Sequence, residues 1–163
     1  MVPFKELRKI YLLENLDDAM LGKMAPHLQM RLFGPGGIIF KQGDESTYFY
    51  MLKAGKVLLE VEASETISVS MAAIKAGRCF GWSALIPGSQ YTSTAVCVEP
   101  CEVMSIPAQV FLDLMEKDHS MGYRVMQIIA SILKSRLGRR TEQFLKAIEN
   151  HPDIQQLFEI KKE

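Results

Sequence analysis

Apolar positions in the first 30 residues recur at helical spacing. Leu7, Ile10 and Tyr11 fall together, then Leu16, Met20, Leu21 and Met24. Asn15, ahead of Leu16-Asp17-Asp18, reads as a helix cap with acids in the first turn, and Pro26 marks the end of regular helix. Helices are therefore expected over 1–30. From residue 28 the period drops to two. Val57 to Glu62 alternates apolar and polar, and so does Thr66 to Met71. Thr94 to Val98 and Cys101 to Ile106 read as a third strand pair around Glu99-Pro100. Glycines at 34, 36, 37, 43, 55, 77, 81 and 88 punctuate this zone. Short strands separated by frequent turn signals predict an antiparallel barrel or sandwich over 28–106.

The period returns to helical over 107–149. Pro107 suits a first turn, and Val110, Phe111, Leu114 and Met115 make one buried face. A long helix is predicted from Asp118 or Ser120. Its apolar stripes are Met121, Val125, Ile128 and Ile132, and Met126, Ile129, Leu133, Leu137, Phe144 and Ile148. So broad a face predicts cover for the barrel and for a second copy of the chain. Met121, Val125, Ile128, Ile129, Ile132 and Leu133 are the expected homodimer contacts. Asn150-His151-Pro152 ends the helix, and 150–163 reads as a short helical tail of the same single domain.

Composition narrows the function classes. Lys and Arg number 19 and Asp and Glu number 19, so the net charge is 0. That balance argues against a globally basic nucleic-acid binder. Cys79, Cys97 and Cys101 form no closed disulfide set and no metal spacing, which fits a reducing compartment. No apolar run is long enough to span a membrane and no secretory signal is visible, so the expectation is a cytoplasmic protein. His27, His119 and His151 are scattered, which argues against a metal site. The Arg136-Leu137-Gly138-Arg139-Arg140 run, with Lys134 one turn earlier, reads as a solvated helix face. The ten methionines suit adaptable core or interface packing. No nucleophile elbow, zinc-protease helix or Walker loop is present, so no enzyme is expected.

Three glycine motifs carry a resemblance. They are Gly37-Ile38-Ile39-Phe40-Lys41-Gln42-Gly43-Asp44, then Tyr48 through Gly55 to Val57 as a strand–glycine–strand hairpin, then Ala76-Gly77-Arg78-Cys79-Phe80-Gly81. In this order, and between these helices, they resemble the cyclic nucleotide-binding domain family over about residues 10–145. That family includes catabolite-activator-type regulators, protein kinase A regulatory subunits and gated channels. The resemblance implies a mainly β fold: an eight-strand antiparallel jelly roll with N-terminal helices and a long C-terminal helix.

It also implies a ligand segment. In the family, Phe-Gly-Glu opens a helical turn whose N–H groups hold the cyclic phosphate, the Glu takes the ribose hydroxyl, and a later Arg neutralises the phosphate. Here the implied pocket comprises Phe80, Gly81, Trp82, Ser83, Ala84, Leu85, Tyr91, Thr92, Ser93 and Thr94. Trp82 stands at the Glu position and Tyr91 at the Arg position. Losing two hydrogen bonds to charged groups costs about 3–6 kcal/mol, or two to four decades of affinity. Tight binding of cyclic AMP or cyclic GMP in the family manner is therefore not expected.

Two readings stay open. The chain is either a sensor for a cyclic nucleotide or another small polar ligand, or a ligand-free dimeric scaffold with a filled pocket. If Trp82 turns into the barrel and meets Tyr91, the cavity is filled; if it turns out, a cavity remains. Lys75 and Arg78 are the nearest cations in sequence, and Arg139, Arg140 and Thr141 are the candidate helix lid. Catabolite-activator relatives continue into a helix-turn-helix, whereas 12 residues follow His151 here. The expectation is a stand-alone module that signals to a protein partner, not to DNA or a membrane.

Overall fold

The structure, a computed structural model, describes residues 2–151. Helix α1 (Phe4–Leu7) is short, and α2 spans Asp18–Met24. The cap of α2 is Asp17, not Asn15. Its carboxylate accepts the Met20 N–H at 2.9 Å, and its extended backbone breaks the run of helix expected across this region. Between the two helices Arg8 stands in for helical bonding. Its guanidinium donates to the carbonyls of Leu16 (2.8 Å) and Glu14 (3.1 Å) and pairs with Asp18 at 2.7 Å. Leu7, Ile10, Leu16, Met20, Leu21 and Met24 are buried as their spacing predicted, while Tyr11 is exposed. A 3-10 turn at Ala25–His27 leads into the strands.

Eight strands follow: β1 (Gln29–Phe33), β2 (Ile38–Phe40), β3 (Tyr48–Ala54), β4 (Lys56–Ser64), β5 (Ile67–Lys75), β6 (Cys79–Phe80), β7 (Thr94–Cys97) and β8 (Cys101–Pro107). They form two four-stranded antiparallel sheets, ordered β1-β8-β3-β6 and β2-β7-β4-β5. The jelly-roll architecture is the one the glycine motifs implied. Two pairings are not. The Gly55 turn joins β3 to β4 across sheets, and Glu99-Pro100 likewise joins β7 to β8, so neither is a hairpin. Alternation reports which face is buried and says nothing of which strand lies alongside. At the first crossing Gly55 has φ +93°, and a side chain there would run into the Pro100 carbonyl and into Cys101 Sγ at 2.7 Å.

The first sheet sorts its residues by parity. Tyr50, Leu52, Cys101 and Val103 face the barrel interior with Phe40, Leu59, Ile74 and Phe80. Phe49, Met51, Met104 and Ile106, on the opposite face, are fully buried outside the barrel. Helix α3 (Ala108–Lys117) packs on that outer face of β8, and Phe111 meets Phe49 at 5.3 Å between ring centres. Helix α4 (His119–Glu149) begins at an Asp118 cap, whose carboxylate accepts the Met121 N–H at 3.0 Å and pairs with Lys23 of α2 at 2.7 Å. The Lys23 ammonium is the main reason that the Asp118 carboxyl sits below its ordinary pKa.

The chain divides into two compact units, with the boundary after Val125. Met121 and Val125 are fully buried within the first unit. In the second unit, Ile129 is buried, Ile128 and Ile132 are half-buried, and Met126, Leu133, Leu137 and Phe144 are exposed. The helix ends before Asn150 and His151 as expected. Residues 152–163 of the expected tail lie outside the described residues. No helix among the described residues is long and apolar enough to cross a membrane.

Candidate functional site

The ligand segment opens where β6 ends. Phe80 is fully buried, Gly81 takes φ +76°, and Trp82–Leu85 make a single 3-10 turn. The Ala84 N–H donates to the Gly81 carbonyl at 3.1 Å. Glycine is required at 81 for two reasons. The backbone is left-handed, and a Cβ would stand 3.0 Å from Tyr50 Cδ2 and 3.5 Å from Tyr91 Cε1. Ala84 and Leu85 are buried, and Ser83 is half-buried.

Trp82 turns out of the barrel. Its ring packs edge-on against Phe49 at 5.2 Å, on the face of β3 that α3 covers. Tyr91 turns in. Its ring stacks on Phe40 with centres 3.8 Å apart and planes 15° off parallel, and it is 4% exposed. The Tyr91 hydroxyl donates to the Tyr48 carbonyl at 2.6 Å and accepts the Tyr48 N–H at 3.1 Å. Tyr50 and Phe80 stack alongside at 5.4 Å, and Phe80 lies 6.0 Å from Phe40. Burial pushes the Tyr91 and Tyr50 phenols above their ordinary pKa. The two aromatics that the resemblance sets at the family's charged positions thus go to opposite sides of one sheet. Tyr91 rather than Trp82 takes the interior position beside the turn, with Phe40, Tyr50 and Phe80 as its neighbours.

The backbone around Tyr91 is tied down. Its N–H donates to the Asp44 carbonyl (2.9 Å), and its carbonyl accepts the Gly43 N–H (2.8 Å). Ser46 Oγ donates to the Ser89 carbonyl at 2.7 Å. Of the expected hydroxyl donors, Thr92 is exposed, Ser93 is half-buried, and Thr94 Oγ1 accepts the Gln42 N–H at 3.0 Å. Arg78 lies over the Tyr11 ring at 4.9 Å, so the nearest cation in sequence serves the N-terminal segment. Arg139 and Arg140 are exposed, and Thr141 Oγ1 donates to the Leu137 carbonyl at 3.0 Å within its own helix. Cys79, Cys97 and Cys101 are buried, and burial pushes the Cys97 thiol up to about 12. Among the described residues no cluster of His, Cys, Asp and Glu could hold a metal ion.

Sequence reasoning missed Phe40, Tyr48 and Tyr50 as neighbours of the site. The signal lay in the Tyr48-Phe49-Tyr50 alternation, which sends the two tyrosines one way and the phenylalanine the other.

With the turn, the barrel and the flanking helices in place, comparison with known proteins decides the family. The cyclic nucleotide-binding domain model matches residues 30–118. The chain belongs to the cyclic nucleotide-binding domain family. A solved structure of a candidate cyclic nucleotide-binding protein of Geobacter metallireducens GS-15 is similar, with TM-score 0.73 and 26% identity, covering 84% of this chain and 99% of that one. The catabolite activator protein of Thermus thermophilus shares the fold at TM-score 0.69 and 24% identity, over 85% of this chain and 63% of that one. Among curated proteins, isozyme 1 of the cGMP-dependent protein kinase of Drosophila melanogaster is 26% identical over 123 residues, which are 69% of this chain and 16% of the kinase. The chain thus spans a small part of that relative. What it shares with these proteins is a regulatory cyclic nucleotide-binding domain.

Proposed function

We propose that this cyclic nucleotide-binding domain is a regulatory module that does not take cyclic AMP or cyclic GMP tightly in the family manner. One observation carries the reading: the Tyr91 ring lies 3.8 Å over Phe40, with its hydroxyl held by both polar backbone groups of Tyr48. The position that should supply a cation supplies instead a packed aromatic, and the position that should supply an acid, Trp82, leaves the barrel. Calorimetry with cyclic AMP and cyclic GMP tests this. The native chain is expected to give no heat at micromolar nucleotide. Trp82→Glu/Tyr91→Arg, checked by circular dichroism for native fold, is expected to gain binding. Micromolar or tighter binding by the native chain overturns the reading.

The signal passes to a protein partner through α4, which follows the sheet layer with only α3 between them. Self-association through α4 is the second part of the proposal. Met126, Ala130, Leu133, Leu137 and Phe144 are all exposed and recur at steps of four, three, four and seven, the spacing of a coiled-coil seam. Sedimentation equilibrium is expected to find a dimer that Leu133→Glu/Leu137→Glu converts to monomer.

A further inference from the structure

The inner face of the first sheet carries a cation away from the Tyr91 position. On β1, Arg31 lies opposite Val103 and Phe33 opposite Cys101. Val103 and Cys101 face the barrel interior, so Arg31 does too, since directly paired residues share a face. The Arg31 guanidinium carbon stands 5.1 Å from the centre of the Tyr48 ring. Among the described residues no carboxylate pairs with it.

The residue beneath this contact is informative. β1 and β3 lie on either side of β8, so an Arg31–Tyr48 contact must pass over a β8 side chain. The register places Ser105 there. It stands between Gln29 and Tyr50, two residues along the register from the Arg31 pair on one side and from the Tyr48 pair on the other. A small residue makes room for the bridge. Ser105 is 0% exposed, and its hydroxyl has no hydrogen-bond partner among the described residues. An unsatisfied buried hydroxyl is costly, and an acceptor shared with the neighbouring guanidinium would relieve it. Arg31 and Tyr48 are half-buried and Gln29 is exposed, so the site opens toward solvent along β1.

We propose that Arg31, Ser105 and Tyr48 form a binding site for the oxyanion group of a small ligand. The guanidinium fork donates to two oxygens, the Ser105 hydroxyl donates to one of them, and the Tyr48 ring holds the guanidinium plane in place. Phosphate and carboxylate groups both present such oxygens. Tyr48 borders the Gly81–Leu85 turn, but the oxyanion contacts come from Arg31 and Ser105 and do not require that turn to take a nucleotide.

The test is a titration of the isotope-labelled full chain with sodium phosphate and, separately, sodium acetate, at constant ionic strength, followed by amide NMR. Saturable shifts are expected at Arg31, Tyr48 and Ser105 with at least one of the salts, and the stronger one identifies the oxyanion class. Arg31→Gln is expected to weaken binding about tenfold or more, and Ser105→Ala severalfold, with both spectra remaining those of a folded chain. Arg31→Lys, which keeps the charge and loses the fork, should fall between native and Arg31→Gln. Arg140→Gln should bind as the native chain does. Absence of saturable shifts with both salts, unchanged affinity in Arg31→Gln, or shifts centred on Arg139 and Arg140 would each overturn the proposal. The calorimetry above reads Tyr91 and this titration reads Arg31, so one reading can fail without the other.

Discussion

Trp82 and Tyr91 occupy opposite sides of the same sheet, and the contrast teaches how two aromatics of one segment can serve different layers. Trp82 joins the outer layer, where Phe49 and Phe111 lie between strand and helix. Tyr91 joins the barrel interior, stacked on Phe40. Trp82 is half-buried and Tyr91 is buried with both hydrogen-bonding capacities of its hydroxyl used. Trp82 adds packing to the layer between strand and helix. Tyr91 is a piece of the barrel core.

That difference can be broken by mutation. Tyr91→Ala should carry the largest cost, about 3–5 kcal/mol in urea unfolding, because it leaves an interior cavity. A cost no greater than that of Trp82→Ala would end the contrast between the two sides. Tyr91→Phe keeps the ring and strands the two polar groups of Tyr48, which should cost about 1–3 kcal/mol. This variant also has a pH signature. A phenol whose pKa is raised by folding contributes stability that is present below its unfolded value and is lost as pH rises through the folded one. Thermal midpoints of the native chain should therefore fall above a pH of about 10, and less steeply in Tyr91→Phe. Trp82→Ala should cost least, about 1–2 kcal/mol, since its ring is only partly withdrawn from water.

Much of the fold was legible in the residues. Six glycines have positive φ, and four of them, at 43, 55, 77 and 81, lie in the quoted motifs. Strand partners were harder to read. β3 and β4 are contiguous in sequence, and nothing in their alternation says that Gly55 sends the chain to another sheet. The helix cap moved from Asn15 to Asp17 because either side chain suits the position and tertiary contacts of Arg8 decided the break. At the site, sequence named both replaced positions but not their directions. A side chain's facing depends on strand parity, and neither residue lies in a strand. Arg31 and Ser105 escaped notice because they are 74 residues apart and meet only through the β1–β8 register.

The Tyr91 hydroxyl has a further consequence for solubility. β6 pairs with β3 only at Tyr50 and Met51, and on the other side Tyr48 faces Pro107, which has no N–H to offer. The N–H and C=O of Tyr48 would otherwise form an open end of sheet edge, a template for strand addition by another chain. One phenol oxygen takes both groups and acts as a one-residue edge strand. The end of the edge is thereby satisfied by a side chain rather than by backbone, and Tyr91→Phe is expected to aggregate more readily than the native chain at high concentration.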